Sequence, residues 1–250
     1  MCGRYAIKTI PEVMQATFGY VDRPNFPPRY NIAPTQPVPV VTIDQGRRRF
    51  VLMRWGFIPG WVKDPKDFPL VFNIRSEGAR EKPSFRAAFT RRRALMPADA
   101  FYEWKSEGKT KTPFMVRRPD EGLFAFPALW ETWTAPDGAQ MDTVALITGP
   151  AEGPMAAIHH RTPVILDPAN WTAWLDPATP AERAEQLLTP PQQVDLEIVP
   201  IGPGIGRVAN DGPQVQRPAG QAVAAPAAPS RPKPRQRVKA GENDQGSLFD

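Results

Sequence analysis

The chain has 250 residues, a length that fits one large domain or one domain with a tail. Its single cysteine, Cys2, excludes an intramolecular disulfide and any zinc site built on several thiolates. Its two histidines are adjacent, His159 and His160, so any cysteine or histidine chemistry must use these three residues. The net charge of +5 is compatible with nucleic acid but does not by itself point to it.

The 32 prolines, well above ordinary usage, argue against a helical bundle and for a β-rich, loop-rich body. The first residues lack the apolar run of an export signal, and no stretch of about 18 apolar residues occurs. A cytoplasmic protein with no membrane contact is the expectation.

In chain order, the first predicted helix is Pro11–Phe18, with proline at its start. Val38–Ile43 and Arg49–Met53 flank Asp44-Gln45-Gly46 and read as a hairpin. Ser84–Arg92 follows Lys82-Pro83 and reads as a second helix. Further strands are predicted at Thr112–Val116, Leu123–Leu129, Thr143–Thr148, Pro163–Leu166 and Leu196–Ile201. Pro180–Leu188 is the clearest amphipathic helix. Strands outnumber helices and do not alternate with them. That pattern predicts an α+β fold, a single β-rich domain of antiparallel sheets with a few short helices, over residues 1–213.

Composition changes near Pro213. Residues 214–250 hold five prolines, seven alanines and one aromatic, Phe249. Such a segment cannot bury enough apolar surface to offset its ordering entropy, so it is predicted to be disordered. It carries a net charge of about +3 and leaves about +2 on the body.

Loss of Met1 is favoured when the second residue is small, and would make Cys2 a 1,2-aminothiol. Its α-amine, with an ordinary pKa of about 7.7–8.0, is partly unprotonated at neutral pH. With an aldehyde, the amine forms an imine and the thiol closes a five-membered thiazolidine, favoured because the second attack is intramolecular. With an amide or ester, the thiol would act in acyl transfer with the amine as base. Position alone also fits a cysteine that merely packs near the terminus.

Asn73-Ile-Arg75-Ser-Glu77 places three polar residues on one side of an extended segment. Glu103, among the aromatic residues of Pro97-Ala-Asp-Ala-Phe-Tyr-Glu103-Trp104, is a candidate general acid or base with a raised pKa. His159-His160-Arg161-Thr-Pro163 supplies the imidazoles. Singly, these also read as a surface pair, an edge-strand acid and a cap.

Together the segments carry a resemblance. Met1-Cys-Gly-Arg4-Tyr5, Arg29-Tyr-Asn31-Ile-Ala-Pro34-Thr, Trp55-Gly-Phe-Ile-Pro-Gly-Trp61, Asn73–Glu77, Pro97–Trp104, Ala128-Leu-Trp-Glu131 and His159–Pro163 occur in this order. The set resembles the SOS-response-associated peptidase (SRAP) family of abasic-site processing proteins, across residue 2 to about Pro213. The resemblance implies covalent cross-linking to abasic sites in single-stranded DNA, through Cys2 and the ring-opened sugar aldehyde. It implies that Asn73 contacts the lesion, that Glu103 shuttles protons, and that His159 rather than His160 assists opening of the deoxyribose. It also implies Arg4, Arg75 and Arg161 as phosphate-binding residues, and Pro34, Trp55 and Trp104 on the DNA-binding face. The imine would allow lyase activity, and the family name implies peptidase activity. No metal or cofactor is expected, and a monomer is.

Three residues depart from the pattern: Thr162 for Met, Ala100 for Gly and Ala94 for Cys. Ala100 suggests that its backbone needs no positive φ.

The end, Gln245-Gly-Ser-Leu248-Phe249-Asp250, resembles the peptide by which bacterial proteins bind the replication sliding clamp. Leu248 and Phe249 would fill an apolar cleft while Gln245 fixes register. Two other readings compete: an N-terminal-nucleophile hydrolase of peptidase or glutamine amidotransferase type using Cys2, and a non-enzymatic single-strand binder tethered to the clamp.

Overall fold

A computed structural model of the chain describes residues 2–188 and 195–220. The sequence from 221 onward, with Gln245, Leu248 and Phe249, lies outside the described residues. In chain order the elements are β1 (Tyr5–Ile7), α1 (Pro11–Phe18), β2 (Arg29–Ile32), β3 (Pro37–Asp44), β4 (Arg47–Trp55), β5 (Asn73–Arg75), α2 (Pro83–Arg91), β6 (Arg93–Ala98) and β7 (Ala100–Glu107). They continue with β8 (Thr110–Arg117), β9 (Phe124–Thr134), β10 (Gln140–Pro150), α3 (Gly153–Ala156), β11 (Arg161–Pro163), α4 (Trp171–Leu175), α5 (Ala181–Gln186) and β12 (Glu197–Pro200).

One sheet is antiparallel, in the order β12-β8-β7-β1-β2. The other runs β11-β10-β4-β3-β6-β9, and β9 pairs back onto β10, so five of its strands close into a ring. Closure leaves those five without an open edge. This is the predicted α+β class. The parallel pairings of β10 with β4 and β5 are too short, at two and three residue pairs, to show in the sequence pattern.

Local rules account for the elements that position the site. The β3–β4 hairpin turns through Gln45 and Gly46, both at positive φ (47° and 75°), the geometry that a two-residue hairpin loop requires. Helix α1 starts on Pro11 and ends at left-handed Gly19, whose N–H bonds the Gln15 carbonyl. Its buried face is Met14 and Phe18, and Phe18 stacks on Trp171 at 4.5 Å. Ala100 begins β7 with no positive φ, in line with its side chain.

The first sheet is covered on both faces. Tyr5 and Phe101 turn toward the main core, where Tyr5 meets Trp55 edge-on at 5.3 Å. Ala6, Ala100, Tyr102 and Met115 turn the other way, onto Ile201, Ile205 and Val215. Val215 lies in a 3-10 turn at Pro213–Gln216, and Pro218 bridges Ile201. The folded body therefore runs past the boundary predicted at 213, because its second core still needs Val215.

Several element boundaries also moved. The strand expected at Pro163–Leu166 is β11, ending at Pro163; beyond it Val164 bonds Ile147 and Leu166 bonds Ala125, two different strands, so no single ladder continues. The helix expected at Pro180–Leu188 is the shorter α5. Among the described residues no helix is long and apolar enough to cross a membrane.

Candidate functional site

Strand β1 sits between β2 and β7, with Tyr5 opposite Ile32 on one side and Phe101 on the other. The Tyr102 N–H donates to the Arg4 carbonyl at 3.0 Å, which carries that register past the end of β1. Cys2 is thereby drawn alongside the Glu103–Trp104 segment. It is fully buried, and its thiol donates to the Arg4 carbonyl at 3.5 Å. Burial pushes the thiol far above its ordinary range, and the Glu103 charge pushes the same way.

Asn73, on β5, donates from Nδ2 to the Cys2 carbonyl at 2.8 Å. Parallel pairing of Asn73 with Leu146 of β10 sets that reach. Glu103 is 2% exposed, and burial raises its carboxyl pKa. His159 follows the short helix α3, its N–H bonded to the Met155 carbonyl at 3.0 Å. Its Nδ1 lies 3.0 Å from the Arg161 nitrogen and 3.1 Å from the Arg161 carbonyl oxygen, which fixes the orientation of the ring. Burial holds its pKa below the ordinary histidine value.

Glu103 and His159, distant in sequence, line one cleft of about 420 Å³ with Trp104, Ser106, Lys111 and Gly206. The arrangement places a buried carboxyl and an imidazole at one opening, with the Cys2 thiol close enough to feel the Glu103 charge. Among the described residues no cluster of three or more His, Cys, Asp or Glu could hold a metal ion.

Several supporting residues were not singled out from the sequence. Asp99 is buried and accepts from the Lys8 and Thr9 N–H groups and the Thr9 hydroxyl, so it pins the chain just after β1. Asn31, fully buried, donates to the carbonyls of Ile205, Arg207 and Asn210 at 2.9–3.1 Å. Asp211 pairs with Arg29 and accepts the Tyr30 and Asn31 N–H groups. Together they hold the loop containing Gly206, one wall of the cleft. Lys111 is an exposed cation at that cleft, legible only once β7 and β8 pair.

The expected DNA contacts divide. Arg75 is exposed on β5. Trp104 is half-buried and lines the cleft. Pro34 is half-buried at a turn held by the Thr35 N–H on the Trp55 carbonyl, away from the cleft lining.

Trp55 itself is a correction. It is fully buried, with Nε1 on the Phe72 carbonyl at 2.9 Å, so its ring builds the core and not a DNA-binding face. Arg161 is another correction, at 7% exposure. It grips both Glu77 oxygens and the Thr148 carbonyl, an internal clamp and not a phosphate-binding residue. Arg4 likewise directs Nη1 to Asn31 and the Ile205 carbonyl, both at 2.8 Å, and serves the cleft wall. Glu77 leaves the polar face shared by Asn73 and Arg75, because Ser76–Gly78 is a 3-10 turn and not strand.

Residues 1–208 match the family described as SOS response associated peptidase (SRAP). The abasic site processing protein YoqW of Bacillus subtilis is 34% identical over 220 residues, covering 86% of this chain and 98% of that protein. The abasic site processing protein YoaM of the same organism is 35% identical over 202 residues, covering 79% and 89%. A crystal structure of a Bacteroides thetaiotaomicron protein shares the fold, with a TM-score of 0.80 at 22% identity, covering 87% of this chain and all of that one. The chain belongs to the SOS response associated peptidase (SRAP) family.

Proposed function

We propose that the protein, after loss of Met1, binds single-stranded DNA and links covalently to abasic sites through Cys2. The observation that carries this reading is that Asn73 bonds the Cys2 carbonyl, that the Cys2 thiol feels the Glu103 charge, and that Glu103 shares a cleft with His159. The names of YoqW and YoaM, abasic site processing proteins, support it.

The open form of an abasic site is an aldehyde. The Cys2 α-amine attacks C1′, and loss of water gives an imine. The thiol then gives up its proton, its sulfur adds to the C=N carbon of the protonated imine, and the neutral thiazolidine closes. Glu103, its carboxyl pKa raised by burial, donates a proton to the departing water and can then take the thiol proton. His159 assists opening of the deoxyribose, and Asn73 orients Cys2 through its carbonyl.

Arg75 and Lys111 supply cations for phosphates, and Trp104 an aromatic face for a neighbouring base. A missing base leaves C1′ reachable without base flipping. Before the thiol closes, the imine also permits β-elimination of the 3′ phosphate, a lyase outcome. Gln245, Leu248 and Phe249 would dock on the replication clamp and raise the local concentration of the body near single strands.

The test mixes the processed protein with single-stranded DNA carrying one abasic site, then a denaturing gel and mass spectrometry. A species that survives denaturation, and is lost in Cys2→Ala or when Met1 is retained, is expected. Reversible binding alone would overturn the reading, as would glutamine or peptide hydrolysis without a cross-link.

A further inference from the structure

The segment that carries the chain from β4 to β5 encloses a second, smaller cleft. Its volume is about 50 Å³, and Arg54, Phe57, Ile58, Pro65, Phe68 and Leu70 line it. That is room for a few water-sized groups and not for a base. Arg54 is the charged residue of this lining. Its register on β4 is fixed by Pro37 of β3 on one side and Thr143 of β10 on the other. Met53 and Trp55 are buried, so by alternation Arg54 points outward, as exposed Leu52 does.

Other partly or fully buried arginines have their donors taken. Arg49 and Arg80 face carboxylates, and Arg93 spends its guanidinium on the Trp174, Phe89 and Asp176 carbonyls. Arg54 is half-buried, and its Nη1 donates to the Gly56 carbonyl at 3.0 Å. Among the described residues it has no other hydrogen bond and no carboxylate partner. Burial lowers its pKa, and no acidic group opposes the shift. A half-buried guanidinium with most of its donors unspent favours an anion that can take two of them at once.

Gly56 makes the room for this arrangement. A Cβ there would stand 2.6 Å from Arg54 Nη1 and 2.7 Å from Leu70 Cδ1. The fold thus sets a cation beside an apolar wall.

We infer that the Arg54 cleft is a further phosphate subsite for single-stranded DNA, taking one phosphodiester on the guanidinium and the adjoining deoxyribose on Phe68 and Leu70. The inference rests on the proposed DNA-binding function and deepens it. The position of the cleft favours this occupant. Val71 bridges Phe57, and two residues on Asn73 opens β5 with its side chain on Cys2. Three residues from Leu70 to Asn73 span at most about 11 Å. A strand whose lesion meets Cys2 therefore reaches Arg54 within a few nucleotides.

The test uses the full chain and a short oligothymidylate without a lesion, so it does not need cross-linking. Arg54→Gln should lower the slope of log K against log salt by about 0.7, or about fivefold in affinity per tenfold change in salt. Arg54→Lys should restore the slope, because it keeps the charge. Leu70→Glu, at a residue 47% exposed, should lower the slope with Arg54 intact, because the new carboxylate occupies the guanidinium. On an abasic strand, neutral methylphosphonate linkages placed one at a time locate the contact. One of them, within a few nucleotides of the lesion, should slow wild type and leave Arg54→Gln unaffected.

Equal slopes in wild type, Arg54→Gln and Leu70→Glu would overturn the inference, whether or not the protein cross-links DNA. Arg54 would then only brace Gly56, lowering Tm when replaced, or would meet an acidic protein segment instead. A lowered slope in a protein that never cross-links would keep the subsite and refute only the covalent reading. Failure of the wild type to bind the oligothymidylate would overturn both.

Discussion

Arg161 separates a phosphate-binding role from a structural one. Replacing it with alanine removes the partner of the Thr148 carbonyl, bonded at 2.6 Å, and of both Glu77 oxygens. Thr148 is fully buried, so water does not replace the lost donor, a cost of about 1–3 kcal/mol. The Glu77 side chain is 50% exposed and regains water, so its share is at most about 1 kcal/mol. The sum is about 1–4 kcal/mol, which in a domain of this size lowers Tm by roughly 2–15 °C. Arg75→Ala, at an exposed site, should leave stability within about 0.5 kcal/mol. It should instead reduce the slope of log K against log salt for single-stranded DNA by about 0.7.

Acid gives a second readout. Hydrogen bonding to Arg161 holds the Glu77 carboxyl down at about 2. A depressed carboxylate stabilises the fold above its unfolded pKa, about 4.3, and that stabilisation is lost as pH falls through the folded value. The Tm gap between wild type and Arg161→Ala should be widest near neutrality. It should narrow between about pH 4 and pH 2, to the part owed to Thr148. Thermal melts and salt titrations of both variants decide the matter. An Arg161→Ala protein that melts like wild type but loses about 0.7 in salt slope would refute the structural assignment.

Asp99→Ala should cost about 2–3 kcal/mol in chemical denaturation, since three donors lose a buried carboxylate. It should also slow cross-linking, because the chain after β1 no longer fixes Cys2; unchanged rates would separate Asp99 from the site. Asn31→Ala strips three carbonyls and Arg4 of a buried partner. A loss of about 2–3 kcal/mol is expected, with faster hydrogen exchange over residues 203–211, and unaltered exchange there would argue that another contact holds the cleft wall. Trp104→Ala should weaken binding to undamaged single strands by about 1–3 kcal/mol in a fluorescence titration, without altering Tm to a similar extent.

The legible parts of the fold were those set by local rules. Helix α1 between Pro11 and Gly19 needed only its proline start and apolar spacing, and the β3–β4 hairpin needed only its turn. The order of the motifs pointed to Cys2, Asn73, Glu103 and His159; Asn73 bonds Cys2, and Glu103 shares a cleft with His159. What sequence could not assign was which arginines face solvent. Arg75, Arg4 and Arg161 offer the same donors, and only burial decides whether those donors meet a phosphate or a carbonyl. Long-range partners were hidden for the same reason: Asp211 serves Arg29 and Tyr30 across some 180 residues. Glu77 was misplaced because a single 3-10 turn breaks the two-residue period of a strand.

Burial of Cys2 with Glu103 sets the order of the proposed steps. Both groups are pushed up chiefly by desolvation, so the pocket resists net negative charge. Ionising the thiol on its own would bury a new charge. Transfer of its proton to a Glu103 carboxylate would not, because one negative charge is present before and after. The α-amine, ordinarily near about 8, does not depend on that transfer and attacks first. In doing so it draws the Glu103 proton onto the departing water and leaves the carboxylate that the thiol requires. Glu103→Gln can neither give nor take that proton. Its cross-linking should slow by about 10²–10⁴, and imine that does form should persist long enough for borohydride to trap it. Thiazolidine formation at the wild-type rate in Glu103→Gln would show that water, not this carboxyl, carries the proton.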